Sequence, residues 1–232
     1  MKAMILAAGR GERMRPLTDN TPKPLLIAGA KHLIEYHLLN LAAAGFNEVV
    51  INVAWLGQQI IDTIGNGEKY NLSIMYSNEG EQALETGGGI YNALPLLGDE
   101  PFLVVNGDVW TDYPFKQLYQ FPLKDKAHLV LVNNPPHHPH GDFILSNKRL
   151  IDAPKNNHTD KFTFSGIGVY SADFFNVQTK KKYPLAPMIK NYIIQNKISA
   201  ELYNGQWMDI GTQQRLVDLN AILRELSRNT NN

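Results

Sequence analysis

Two glycines and four cations crowd the stretch from Gly9 to Lys23: Gly9, Arg10, Gly11, Arg13, Arg15 and Lys23, offset only by Glu12 and Asp19. Glycine lets a backbone come close to a ligand and turn its N–H groups toward an anion. Arg13 and Lys23 can then neutralise a polyphosphate from the side. Asp108 and Asp209 carry a second chemistry. Two carboxylates that a fold brings together in front of phosphates suit Mg²⁺, which takes few protein carboxylates and completes its octahedron with water and phosphate oxygens. From spacing alone a plainer reading of each stays open. Asp108 can be a turn residue, and Asp209 a cap for a helix near Thr212.

The first loop differs from two phosphate-binding motifs. A dinucleotide fingerprint needs a third glycine, and Met14 stands in that place. A P-loop needs Gly-x-x-x-x-Gly-Lys-Ser/Thr, and that string is absent from the chain. The loop follows a short apolar run, Met4 to Ala7, which reads as a first buried strand. It therefore sits at a strand's carboxyl end, where open α/β sheets bind ligands.

The elements that must position these residues alternate along the first half. Helical spacing runs from Leu33 to Ala44 and stops at Gly45, and from Gly57 to Ile64, stopping at Gly65. A helix is expected from Gly87 to Leu94, leaving a glycine run. Strands are expected at Glu48–Val53, Leu72–Tyr76 and Phe102–Asn106, the last apolar throughout, as a strand covered on both faces should be. Asp108 leaves that strand through Gly107, toward the same crevice as the first loop. This alternation predicts an α/β fold with a mostly parallel central sheet and helices on both faces. The second half is less regular. Strands are expected at Ala127–Val132, Thr163–Tyr170 and Ser199–Tyr203, a hairpin at Phe143–Leu145 with Leu150–Ile151, and helices at Leu185–Ile194 and Gln213–Leu226. Lys155–Lys161 reads as a polar loop and Ser227–Asn232 as a fraying tail.

Composition narrows the function. The chain has 232 residues, 44% of them hydrophobic, and its 22 basic and 22 acidic residues give a net charge of +0. A neutral chain lacks the basic field that nucleic acids and membranes attract. The local cations then read as a site for a small anion, with no nucleic-acid or membrane partner. No cysteine is present, so disulfides, thiolate nucleophiles and cysteine metal sites are excluded. The apolar run after Lys2 ends too soon for a secretion signal, and nothing reaches the ~18 apolar residues of a membrane span. A soluble cytoplasmic protein is expected, a single domain over 1–232, with a first half about 1–110 that carries the anion site and a second half about 111–226. His137, His138 and His140 lie among prolines, so no helix aligns them for zinc. A lid or substrate-lining loop suits them better.

Leu6-Ala7-Ala8-Gly9-x-Gly11-x-Arg13-Met14-x-Pro16-Leu17-Thr18 with Pro22-Lys23-Pro24 resembles the signature of the sugar-phosphate nucleotidyltransferases. Val105-Asn106-Gly107-Asp108 and Trp207-x-Asp209-Ile210-Gly211-Thr212 resemble that family's two metal motifs, in order. The likeness covers essentially the whole chain. It implies a Rossmann-like (GT-A-like) nucleotidyltransferase domain with Arg13 and Lys23 as catalytic cations on the triphosphate. Ala8, Gly9, Gly11, Glu12, Gln82 and Gly87 would complete the nucleotide site, with Gly88 and Gly89 admitting a close backbone. Asn106, Trp110, Asp142, Ser165 and Gly166 would line the sugar side, and Asp108 and Asp209 would hold Mg²⁺.

Further likenesses at Leu84–Ile90, Asp108–Asp112, Asn134–His138 with Gly141-Asp142-Phe143, and Phe164–Ile167 imply the substrates: UTP and N-acetylmuramate 1-phosphate, in cell-wall recycling. Guanylyl transfer to mannose 1-phosphate and thymidylyl transfer to glucose 1-phosphate are the alternatives, and a non-catalytic sugar-nucleotide sensor is the distant one. A monomer or small homo-oligomer is expected, without the second activity of longer relatives. Two departures stand out. The lysine by which many relatives hold the sugar phosphate has no clear match in Lys155 or Lys161, and His32 replaces a common proline.

Overall fold

Ala3–Leu6 (β1) has apolar side chains on both faces, and both faces are covered. Ala3 and Ile5 point into one core with Ile34, Leu38 and Ile60, while Met4 points into another with Ile90, Ala93 and Met188. Successive strand residues face opposite ways, so one strand joins the two layers. The computed structural model describes residues 1–80, 83–151, 161–176 and 182–230.

After β1 come a short hairpin, Ile27–Ala28 (β2) with Lys31–His32 (β3), and helix Leu33–Ala43 (α1). Then follow Glu48–Val53 (β4), Gly57–Ile64 (α2), Ser73–Asn78 (β5), Glu85–Leu97 (α3), Phe102–Asn106 (β6) and Val109–Thr111 (β7). The second half holds Ala127–Val132 (β8), Ile144–Ser146 (β9), Arg149–Ile151 (β10), Thr163–Tyr170 (β11), Ala186–Ile194 (α4), Ile198–Tyr203 (β12), Trp207–Asp209 (β13) and Gln213–Thr230 (α5). One sheet of nine strands runs β5-β4-β1-β6-β11-β8-β12-β10-β9. β5, β4, β1 and β6 are parallel, as are β8 and β12, and only β11 and β10 run against the rest. The mostly parallel sheet with helices on both faces is therefore present.

Two features of the sheet position the site. Every parallel strand of the first half ends on the same edge, so the loops after β1 and β6 share one crevice. Beyond β6, the small ribbon β7–β13 places Asp209 opposite Val109, and Ile210 N donates to Asp108 O at 2.6 Å. A third core of Met14, Leu33, Trp110, Ile210, Leu216 and Leu219 anchors this ribbon to α5.

Most boundaries shift by one or two residues from the sequence pattern, β5 for instance running Ser73–Asn78, and some of the differences have a physical reason. α3 begins at Glu85 and takes the glycine run inside it, because the glycines are packing positions. A Cβ on Gly87 would meet Tyr183, and one on Gly89 would meet Glu79 and Asn52. Phe143 makes an isolated bridge to Phe162, so β9 starts one residue later. α5 continues through the tail to Thr230, since nothing in Ser227–Arg228 breaks a helix. β11 carries a bulge between Phe164 and Ile167, where Gly166 has φ 79°.

Candidate active site

The loop after β1 is held from below. Asn52, almost fully buried at the end of β4, accepts from Ala7 N at 2.7 Å and donates to Glu79 Oε1 at 2.6 Å. Glu79 Oε2 in turn accepts from Leu84 N at 2.6 Å. A buried amide bonded at both its oxygen and its nitrogen fixes a backbone turn more tightly than apolar packing would. Neither Asn52 nor Glu79 was singled out by motif reading. Their signal was their place at the carboxyl ends of β4 and β5.

The two glycines of the loop do different work. Gly11 has φ 69°, and its left-handed backbone begins a short 3-10 turn, Glu12–Met14. Gly9 has no such φ, and a Cβ on it would meet nothing within 4 Å. That Cβ would stand in the crevice itself. The crevice holds about 520 Å³ and is lined by Ala8, Gly9, Gly11, Glu12, Arg13, Lys23, Asn106 and Asp108, with Glu79 and Gly211. Lys23 is buried on the Lys23–Leu25 turn, and its Nζ donates to Asp108 Oδ2 at 2.6 Å. Arg10 stacks over Trp55 at 3.9 Å, and Trp55 Nε1 donates to Thr18 O. Trp55 thus packs the loop.

Asp209 lies across the ribbon from Val109, and so beside Asp108 in the fold. Arg215 Nη1 donates to Asp209 Oδ2 at 2.5 Å. Asp209 Oδ1 is buried without a hydrogen-bond partner, 2.8 Å from His137 Nε2. His37 lies beneath the loop between β6 and β7 in full burial. Burial pushes its imidazole down to about 4, while the backbone at Val109, the Asp108 charge and the backbone at Asn106 pull the other way.

The expected sugar-side residues separate. Asn106 lines the crevice, and Gly166 is the glycine its side chain requires, since a Cβ there would lie 2.6 Å from Asn106 Nδ2. Ser165 faces away. Its Oγ donates to Val130 O at 2.7 Å and accepts from Ile167 N at 3.1 Å, so the hydroxyl is spent on the bulge. Asp142 is partly engaged: Oδ2 accepts from Phe164 N at 2.8 Å and Oδ1 lies 3.1 Å from His138 Nε2. Trp110 is buried in the third core beside Met14 and Leu216, on the other face of the ribbon from Asp209, and does not line the crevice. Strand alternation is the reason. Trp207 shares its face of β13 with Asp209, and its Nε1 reaches Ser165 O at 2.9 Å. Of the two ribbon tryptophans, it is Trp207 that shares a face with Asp209. Gly87 packs on Tyr183 and does not line the crevice. Gln82 and Lys155 lie outside the described residues. His137, expected only as part of a lid or lining loop, instead reaches Asp209, and Arg215 was missed altogether. Arg215 lies outside the quoted motifs, although it follows Asp209 at a spacing of six, whereas His137 stands within the Asn134–His138 likeness, which gave no hint of its contact with Asp209.

A glycine turn, flanking cations and two acids at the carboxyl edge of an open α/β sheet are the arrangement that receives nucleotide phosphates. The chain belongs to the nucleotidyl transferase family, whose profile matches residues 2–225. It is 51% identical to the N-acetylmuramate alpha-1-phosphate uridylyltransferase of Neisseria meningitidis serogroup B, over 96% of this chain and 98% of that one. It is 30% identical to the protein of the same name from Caulobacter vibrioides, over 96% and 97%. A mannose-1-phosphate guanyltransferase of Yarrowia lipolytica is 38% identical over 91% of this chain and 61% of that one. Among solved structures, a Bacillus anthracis protein assigned as a glucose-1-phosphate thymidylyltransferase, in complex with sucrose, superposes with TM-score 0.86. It is 21% identical and covers 97% of this chain and 95% of that one, a likeness of fold.

Proposed function

We propose that this chain transfers a uridylyl group from UTP to the phosphate of N-acetylmuramate 1-phosphate, giving a nucleotide-sugar and pyrophosphate. The transfer itself rests on one observation: Arg13, Lys23 and Asp108 line a single crevice whose floor is the open Gly9 turn. The choice of uracil and muramate rests on the 51% identity across nearly all of both chains. Residues 1–232 act as one domain, a reading supported by a sheet whose strands come from both halves.

The reaction needs no protein nucleophile. A sugar 1-phosphate is largely dianionic near pH 7 (second pKa about 6), so its oxygen can attack without a general base. It adds in line to the α-phosphorus of UTP, and the bond to the pyrophosphate oxygen breaks. Two polyanions must meet, and the protein's task is position and charge. Gly9 lets the backbone close on the phosphates. Arg13 and Lys23 neutralise the triphosphate. Asn106 lies where β6 turns into the sugar half, and Trp207 walls that side.

Asp108 and Asp209 fit a divalent ion: Asp108 sits in the turn before β7, Asp209 pairs across the ribbon with Val109, and the buried Asp209 Oδ1 has only the His137 ring nitrogen near it, at 2.8 Å, among the described residues. These two would hold Mg²⁺, which supplies further neutralisation of the phosphates when bound. Lys23 on Asp108 and Arg215 on Asp209 keep both acids paired meanwhile. Among the described residues no helix is long and apolar enough to cross a membrane. A cytoplasmic monomer or small homo-oligomer, with no membrane or nucleic-acid partner, completes the reading.

A pyrophosphate-release assay tests it, with UTP, GTP and dTTP against N-acetylmuramate, glucosamine, mannose and glucose 1-phosphates. UTP with N-acetylmuramate 1-phosphate should be the fastest pair and should stop in EDTA. Faster turnover of GTP with mannose 1-phosphate would move the chain to the guanylyl reading, and no release with any pair would end the proposal.

A further inference from the structure

Arg215 is the cation that the motifs left unassigned, and its surroundings are those of a ligand group. Its side chain is only 13% exposed, although it stands on the first turn of α5. Nη1 donates to Asp209 Oδ2 at 2.5 Å and lies 2.6 Å from His137 Nε2, and Nε donates to Thr212 Oγ1 at 3.3 Å. These contacts fix the guanidinium plane and use none of the Nη2 hydrogens. Nη2 instead lies over Gly211, 2.6 Å from where a Cβ would be. Gly211 lines the crevice, and Arg13 Nη2 approaches the same point to 3.1 Å.

Two guanidinium groups therefore converge on one glycine. Like charges brought this close repel unless an anion lies between them. Asp209 is already taken by Nη1. Lys23 and Asp108 mark the triphosphate side of the crevice. Arg215 lies toward the other half: His137 comes from the Asn133–Asp142 loop, and Trp207, on Asp209's own face, reaches Ser165 of β11.

We propose that Arg215 binds the phosphate of the sugar substrate, a dianionic monoester, through Nη2 over Gly211, with Arg13 facing it across the transferred phosphoryl group. The inference rests on the uridylyl-transfer reading above and names the residue that receives its second substrate. Arginine suits the task, since its planar fork can hold Asp209 with one nitrogen and a phosphate with another. His137 acts as a positioning residue, steadying Nη1 from the loop side.

The test compares the wild type with Arg215→Met and Arg215→Lys. Calorimetry in EDTA measures binding of N-acetylmuramate 1-phosphate and, separately, of UTP. Steady-state pyrophosphate release with Mg²⁺ gives KM for each. Losing a charge-assisted bond to a phosphate should weaken the monoester at least about tenfold in Arg215→Met, in both binding and KM, and leave UTP within about twofold. Arg215→Lys keeps the charge beside Asp209 and loses the fork, so it should fall between. It also carries the test if the methionine variant does not fold. Unchanged monoester affinity and KM, or an equal loss toward UTP, would overturn the assignment while wild-type pyrophosphate release upholds the reaction. Absence of wild-type release with all four sugar phosphates would overturn both.

Discussion

Gly9 and Gly11 stand two residues apart in one loop, and alanine at each should move stability in opposite directions. At Gly11 the backbone has φ 69°, and a Cβ would lie 3.0 Å from Thr18 Cγ2 and 3.3 Å from Lys23 Cβ. A left-handed backbone costs a residue with a side chain about 1–2 kcal/mol, before any squeeze on Thr18. At Gly9 the φ is not left-handed and nothing lies within 4 Å of the added methyl. There alanine narrows the unfolded ensemble and stabilises by about 0.4–1 kcal/mol. For a chain of this length 1 kcal/mol corresponds to about 2–4 °C in Tm. Gly11→Ala should therefore melt about 2–8 °C lower, and Gly9→Ala about 1–4 °C higher. Function should not follow stability. The Gly9 methyl would stand in the crevice proposed for the phosphates, and loss of one charge-assisted bond there would cost about 1.5–3 kcal/mol, a weakening of roughly 10- to 100-fold. Scanning calorimetry and UTP titration on both variants measure the two effects separately. A Gly9→Ala protein that binds UTP as the wild type does would refute the claim that its empty space belongs to the nucleotide.

Two further outcomes follow from packing and burial. Trp110→Ala empties a place in the third core and should cost about 3–5 kcal/mol in a urea melt, whereas Trp207→Phe should melt nearly as the wild type and raise KM for the sugar phosphate. A reversed pattern would return Trp110 to the sugar site. His37 is held neutral by burial, its pKa lowered to about 4. The unfolded chain takes up its proton near 6.5, so stability is complete above that pH and falls as pH drops from about 6.5 toward 4, by about 3 kcal/mol in all. His37→Gln should remove this part of the pH dependence. Parallel slopes for the two proteins in chemical denaturation across that window would show that His37 does not supply it.

The alternation of apolar strands and helix-spaced segments was enough to define an α/β sheet, because burial on both faces leaves a continuous apolar run that no surface strand can carry. The glycine turn, Lys23 and Asp108 were legible for a related reason: a loop leaving a buried strand can end only at the sheet's edge. The sequence alone could also name Asp209. Its neighbourhood was decided elsewhere. The β7–β13 ribbon pairs residues a hundred positions apart, and its twofold alternation turns Trp110 into the core and Trp207 outward. Ser165 and Asp142 look alike as sugar ligands in a string of letters, but folding turns the Ser165 hydroxyl into the β11 bulge and leaves Asp142 partly exposed beside His138. The glycine run at Gly87–Gly89 makes room for Tyr183 and Glu79, partners that only folding brings near. Arg215 and His137 meet Asp209 through the packing of α5 and a distant loop, a contact with no local signature. Local pattern determines where the chain is buried and where it turns. Which side chains remain free to meet a substrate is settled by partners far away in the chain.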